Sequence, residues 1–537
     1  MRITWSRWRS IAAGAALAVP LLAALPGPAS AATPQDTLVI AWAIDDVITL
    51  DPAEAFEISA GEIMGNTYDR LVRLDLADPS RVVGDIAESW TVSEDGRTYA
   101  FTLRPGLVFA SGNPLGAEEV AWSLRRTVLL DKSPAFILTQ FGFTGDNAGQ
   151  RIRATGPLTV EIETDRAYAP SFVLNCLTSN AAAIVDRQLL AGHEKDGDMG
   201  YGWLKTNYAG SGPMKLRDWR ANEILVLERN ERHHGEAAPL ARVIYRHVKE
   251  STTQRLLLEK GDIDVARNLS PEDLQAVEAD AAIELTSTPK GTVYYFSLNQ
   301  KNGVLARPEV REAMKWLVDY DAIGATLIKG IGRIHQSFLP VGLLGAIEDR
   351  PYRLDVAKAK ELLAKAGLAD GFRVTMDVRS TQPVTGIAEV VQRSFAEAGI
   401  TLEIIPGDGR QTLTKYRARN HDIYIGQWGA DYWDPHTNAD TFVRNPDNGD
   451  EAALKPLAWR NAWDIPELTA MADAAVLERD GARRAALYGD IQRKFMAESP
   501  FVMLFQQIEA AGVRRGVAGF RLGPTSDTTY VFRASKS

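Results

Sequence analysis

Apolar residues fall along this chain in two rhythms, one of strands and one of helices. Thr37 to Ala41 (TLVIA) is a continuous apolar run that turns polar at its end, which predicts a buried strand. Thr98 to Leu103 (TYAFTL) alternates and stops at Pro105-Gly106, a strand closed by a turn. Behind Asn113-Pro114, Ala117 to Leu129 spaces its apolar residues for an amphipathic helix. Ile224 to Leu227, Val243 to Tyr245 and Val293 to Leu298 predict further strands, and Thr253 to Lys260 a helix stopped by Gly261.

The densest pattern lies between residues 355 and 427. Asp355 caps the helix VAKAKELLAKAG, which Gly367 ends. Phe372 to Val378 (FRVTMDV) predicts a strand, Ile387 to Ala398 a helix and Thr401 to Ile405 (TLEII) a second strand. A helical turn over Gln411 to Arg419 leads into a third strand, Asp422 to Gln427 (DIYIGQ). The intervals allow parallel crossovers through helices, giving βαβαβ and a doubly wound sheet.

Such sheets hold ligands beyond the carboxyl ends of their strands. There the chain reads QWGADYWDPHTNADTF, with Trp428, Tyr432, Trp433 and Phe442 around Asp431, Asp434 and Asp440. Aromatic walls exclude water, and a carboxylate held among them favours a ligand cation. A buried acid without such a ligand needs a nearby Arg or Lys. The plain alternative is a loop whose aromatics cap the core while its acids stay in solvent. Asp45 and Asp46 follow the first strand and stand at a comparable place.

Composition changes the picture in three ways. At 537 residues the chain exceeds what one hydrophobic core supports, so at least two are needed. Its 60 basic and 69 acidic residues leave a net charge of −9, which argues against a nucleic-acid partner. Cys176 stands alone, so no intrachain disulfide or zinc-type cysteine spacing is available. The first residues add an address. Arg2, Arg7 and Arg9 precede the apolar run Ile11 to Leu25, and Ala29-Ser30-Ala31 supplies small residues for cleavage. This is the layout of a signal peptide cleaved near Ala31, with no cysteine there to carry a lipid anchor, so the periplasm is expected.

Catalytic patterns are missing: there is no GxSxG elbow, HExxH or phosphate-binding GxxxxGK loop. Lys329 to Gly332 lacks the third glycine of a dinucleotide turn. His233 and His234 are neighbours, which on a helix or strand do not share a face, so a metal site is not expected there. Neither cofactor nor enzymatic activity is expected.

The segments TLVIAWAIDDVITLDPA (37–53), YDRLVRLD (68–75), IAESWTVSEDGRTYAFTLRPGLVFASG (86–112), AEEVAWSL (117–124), GSGPMKL (210–216), FSLNQKNGVLARPEVREAMKWLVDYDAI (296–323) and WGADYWDP (428–435) carry a resemblance. The chain resembles the large periplasmic solute-binding proteins of ABC importers, the family 5 group of dipeptide, oligopeptide and nickel receptors. That resemblance implies an α/β, two-lobed binding protein of cluster C type, with an extra inserted domain and a ligand cleft between the lobes. Lobe I would comprise 32–68, 206–290 and 508–537, the inserted domain 69–205 and lobe II 291–507. It further implies a monomer that closes on a peptide or peptide-like solute and presents it to an inner-membrane permease.

Residue by residue, Asp431 in GADY matches the aspartate that holds a ligand's α-amino group in peptide-binding relatives. Trp428, Tyr432 and Trp433 would line the same wall, and Trp42 and Asp45 would reach the cleft. Arg379 falls near the carboxylate-binding arginine of the dipeptide receptor, on a loop (RSTQPVTG) shorter than in that receptor. His421 and His436 are the nickel candidates. Another solute (an opine, a modified amino compound, an oligosaccharide or a nickel chelate) and a periplasmic hydrolase remain the alternative readings.

Overall fold

The computed structural model describes residues 33–75 and 77–537, and the leader expected over residues 1–31 lies outside them. Eleven strands form one large mixed sheet. Its order runs Ile400–Gly407, Phe372–Arg379, Ile423–Gly429, Ile283–Leu298, Phe501–Arg514, Val265–Ala266, Thr37–Trp42, Arg242–His247, Ile224–Arg229 and Met214–Arg220, with Gly332–Ile334 added on Phe501–Arg514. Among the described residues, no helix is long and apolar enough to cross a membrane.

The sheet consists of two halves held together by two long strands. Ile283 to Pro289 pairs antiparallel with Ile508 to Arg514 in the first half, and Val293 to Ser297 pairs with Phe501 to Gln506 in the second. The register breaks between Pro289 and Val293. Gly291 sits in that break because nothing larger fits: a Cβ there would lie 2.9 Å from the Ala430 methyl group. Its carbonyl accepts the Ala430 N–H at 3.0 Å, so the break in one strand pins the turn that follows another.

The expected elements form for the expected reasons. Thr37–Trp42 is buried at every position and runs parallel to Arg242–His247 and Val265–Ala266, so its sequence reads as an unbroken apolar run. Phe372–Arg379 pairs in parallel with both Ile400–Gly407 and Ile423–Gly429, completing the βαβαβ unit through the helix Val384–Glu397. The Asp355 carboxylate accepts from Lys358 N at 2.9 Å to start the helix Val356–Lys365, and Gly367 ends it with φ of 74°.

Two long elements escape the pattern. The strand expected from Val293 begins ten residues earlier at Ile283, through a polar stretch whose Pro289 and Gly291 read as turn signals. Its partner Phe501–Arg514 has no counterpart among the expected strands. Long-range pairing, which local propensity does not register, holds both.

The expectation of at least two cores holds. A separate four-stranded sheet of Ala87–Val92, Thr98–Leu103, Thr159–Glu163 and Ile152–Gly156 packs under the helix Ala117–Leu130 around Phe101, Val120, Phe141 and Phe172. Leu38, Ile63, Leu225 and Val243 centre the core of the first half-sheet, and Phe296, Val374, Val391 and Ile423 that of the second.

Candidate functional site

A cavity of about 1230 Å³ is lined from both half-sheets and from the strands that join them. This exceeds the ~300–1,000 Å³ common for small-molecule pockets. Trp42, Asp46, Glu57 and Arg267 face it from the first half, and Tyr294, Trp428 and Asp431 from the second.

The second wall is built where Ile423–Gly429 runs out. The Asp431 N–H donates to Thr437 Oγ1 at 3.0 Å, and Asp434 Oδ1 accepts from His436 N at 2.9 Å as the helix His436–Phe442 begins. Arg484, on the helix Gly481–Glu498, forks onto both Asp434 oxygens at 2.7 and 2.8 Å. Both side chains are only 1% exposed, so this pair is an internal rivet for the turn. Asp431 differs. It takes part in no ion pair among the described residues, and burial pushes its carboxyl up to about 7; the Thr437 hydroxyl opposes the rise and Asp440 adds to it. Beside it, the buried Trp428 Nε1 has no hydrogen-bond partner among the described residues.

Across the cavity the charges are settled. Arg267 lies over Trp42, 4.4 Å from the ring centroid, and its Nη1 donates to the two Glu62 oxygens at 2.9 and 3.1 Å. It also pairs with Glu509, which stands 3.0 Å from Lys290 Nζ. Burial alone would raise the Glu509 carboxyl, but Arg267 and Lys290 hold it down at about 2. Arg267 and Lys290 are the basic side chains lining the cavity among the described residues, and internal carboxylates neutralise both. The lining acids are less balanced. Asp46 accepts from Ser59 N at 3.1 Å, but its buried Oδ1 has no partner among the described residues. Glu57 is raised by burial and then by the nearby Asp46 and Glu54.

Of the expected site residues, Trp42, Trp428 and Asp431 line the cavity. Tyr432 and Trp433 do not, because each fills a core. The Tyr432 ring packs 5.7 Å from Phe172 in the core of the four-stranded sheet, and Trp433 packs against Gly291 and Gly342 among Phe338 and Leu339. Asp45 points outward onto Lys249 at 2.5 Å, which holds its carboxyl low, and the adjacent Asp46 faces the cavity instead. Arg379 is exposed at the end of its strand and lies against Gly409, while the same loop sends Gln382 and Pro383 to the cavity. His421 and His436 are buried away from the lining, His421 hydrogen-bonded to Asn461 at 3.1 Å and His436 against Phe172. The sequence reading missed Glu57, Arg267, Lys290 and Glu509. Their only local signal is charge within otherwise apolar or strand-forming stretches.

Sequence and fold comparisons place the chain among known proteins. The family description "Bacterial extracellular solute-binding proteins, family 5 Middle" matches residues 81–450. A probable D,D-dipeptide-binding periplasmic protein of Escherichia coli K12 is 28% identical over 509 residues, 94% of each chain. A glutathione-binding protein of Salmonella paratyphi A is 24% identical over 490 residues, 90% of this chain and 91% of that one. Among solved structures, a Helicobacter pylori periplasmic binding protein in complex with the peptide STSA superposes with a TM-score of 0.78 at 23% identity, covering 93% of this chain and 98% of that one.

Proposed function

Because this chain belongs to the bacterial extracellular solute-binding proteins of family 5, we propose that it is the periplasmic receptor of an ABC importer, that it captures a peptide or peptide-like solute, and that Asp431 holds the solute's amine. One observation carries this reading. Two carboxylates lie in one turn; the buried Asp434 has its arginine, and the half-buried Asp431, which faces a cavity, has no ion pair among the described residues. A buried charge without a partner costs several kcal/mol, and a ligand ammonium supplies the missing partner.

The charge balance of the lining supports an amine-bearing solute over a purely anionic one, since Arg267 and Lys290 are already committed. The backbone adds a second handle. Ile423–Gly429 pairs with the long strand on one edge, but with Phe372–Arg379 only at Ile423 and Tyr424, so among the described residues Gln427 to Gly429 keep an edge without a strand. An extended peptide can pair there whatever its side chains.

In this reading the two lobes hinge where the long strands lose register, near residues 290 and 507, with 32–68, 206–290 and 508–537 in one lobe, 291–507 in the other and 69–205 as the inserted domain. A solute touching both lobes stabilises the closed form by its differential affinity, and the closed monomer is what a membrane permease recognises. No bond is made or broken.

A thermal-shift panel tests the cargo. Free-amine di- and tripeptides at about 100 times their dissociation constant are expected to stabilise the protein by about 2.7 kcal/mol, and their N-acetylated counterparts to do nothing. Equal shifts from acetylated peptides would remove the amine from the recognition chemistry. Affinity is also expected to depend on pH. Asp431 titrates near 7 without ligand, so the anionic form that receives an ammonium is depleted as pH falls. Calorimetry at pH 5.5 should give affinity about tenfold or more below that at pH 7.5. A flat profile would mean that no raised carboxyl takes part.

A further inference from the structure

Away from the cavity, three side chains converge where the chain passes from the large sheet to the four-stranded one. Asp69 follows the helix Ile58–Thr67, is 2% exposed, and its carbonyl accepts from Ile184 N at 3.0 Å. His233 and His234 lie in a turn after Ile224–Arg229, which begins with Asn230 Oδ1 accepting from Arg232 N at 3.0 Å. In a turn the rule that separates neighbouring side chains on regular elements does not apply. The two imidazoles stand 4.5 Å apart, tilted by 49°, and both face Asp69.

Asp69 Oδ2 lies 3.6 Å from His234 Nε2 and 3.9 Å from His233 Nδ1, and the three potential ligand atoms all fall within 4.8 Å of one another. These separations exceed hydrogen bonds, and the buried Asp69 Oδ2 has no hydrogen-bond partner among the described residues. The buried Ser211 Oγ has none either; His233 Nδ1 donates to the Ser211 carbonyl at 3.3 Å, a hydrogen bond that gives way when this nitrogen takes a metal. Orphaned buried oxygens beside two imidazoles call for a cation. A tetrahedral ion with ligands at ~2.0–2.1 Å holds their atoms about 3.4 Å apart, so modest contraction closes this cluster around one.

We propose that Asp69, His233 and His234 form a site for a divalent transition metal of the zinc type. Two imidazole nitrogens and one carboxylate oxygen suit Zn²⁺, Ni²⁺ or Co²⁺, and exclude a dedicated Mg²⁺ or Ca²⁺ cage, which needs oxygen ligands throughout. The exposed His234 leaves the remaining coordination position open to water. None of the three residues lines the cavity, so the ion clips the turn at 233–234 to the crossing at Asp69 without touching the solute.

The test is calorimetric titration of tag-free, chelator-stripped protein with zinc alone at pH 7.5. One ion per chain at micromolar affinity or tighter is expected, accompanied by a rise in melting temperature. His234→Gln should weaken zinc at least 30-fold, and the double variant with His233→Gln should lose both the binding and the thermal shift. The metal-free far-ultraviolet spectrum of each variant checks folding. Absence of binding by the unaltered protein at 100 µM zinc would overturn the site, leaving an imidazolium–carboxylate pair. Undiminished stoichiometric binding by the folded double variant would overturn it equally, by placing the ion elsewhere.

Discussion

Asp431→Asn is expected to weaken an amine-bearing solute by at least about 30-fold and, at the same time, to raise the melting temperature of the ligand-free protein. The two effects have one cause. Removing one member of a buried charge pair costs about 2–5 kcal/mol of binding, which corresponds to roughly 30-fold to several thousandfold. Without ligand the same carboxylate is a burden. Its pKa stands near 7 in the native chain because burial disfavours the anion. The unfolded chain, with a carboxyl near 4, binds fewer protons than the native one over the interval between those values. Stability contributed through this group is therefore fully present below about 4 and is lost as pH rises toward 7. Asparagine keeps the shape and removes the cost. Simple damage would lower affinity and melting temperature together, so opposite signs in calorimetry and thermal melting identify a ligand anchor. Unchanged affinity would remove Asp431 from the site.

Arg484→Ala should produce the largest loss of stability. It strands the Asp434 carboxylate, 1% exposed, without a counter-ion and frees the turn that presents Asp431. Breaking a buried pair from one side costs about 3–5 kcal/mol, and the denaturant midpoint should fall accordingly. Arg484→Lys should recover only part of this, because an ammonium cannot fork onto two oxygens. Affinity should fall as well, since the turn loses its fixed position. A midpoint within experimental error of the unaltered protein would show that the turn is held by its aromatic packing instead.

Much of the scaffold could be read directly. The βαβαβ unit is legible because helix and strand periodicities alternate cleanly from Asp355 to Gln427, with Gly367 marking a stop that φ of 74° requires. The segment after the third strand was legible as well, since aromatics and acids are crowded where such sheets place ligands. What the pattern could not give is direction. Tyr432 and Trp433 stand between Asp431 and Asp434 in one turn, and which of them faces the cavity depends on Gly291 and Phe172, distant in sequence. The same holds for Asp45, one residue from the position that faces inward. Arg267, Lys290 and Glu509 meet only through pairing of the two long strands, one of which opens with a polar run resembling a loop. The pair His233-His234 shows where a local rule stops applying. The rule that separates neighbouring side chains holds on helices and strands, and these two residues lie in a turn where their rings stand 4.5 Å apart.

The half-sheet bearing Asp431 is entered at Val293 and left at Gln506, and those two residues are partners across the ladder. A body of this kind begins and ends at one spot, like a leaf on a double stalk. Exchanging it as a cassette between related receptors would take two cuts a strand's width apart, leaving Arg267 and Glu62 with the recipient and moving Asp431 and Trp428 with the graft. Cargo preference would then travel with that cassette, while the Glu509 knot on the recipient's side of the cut still receives it.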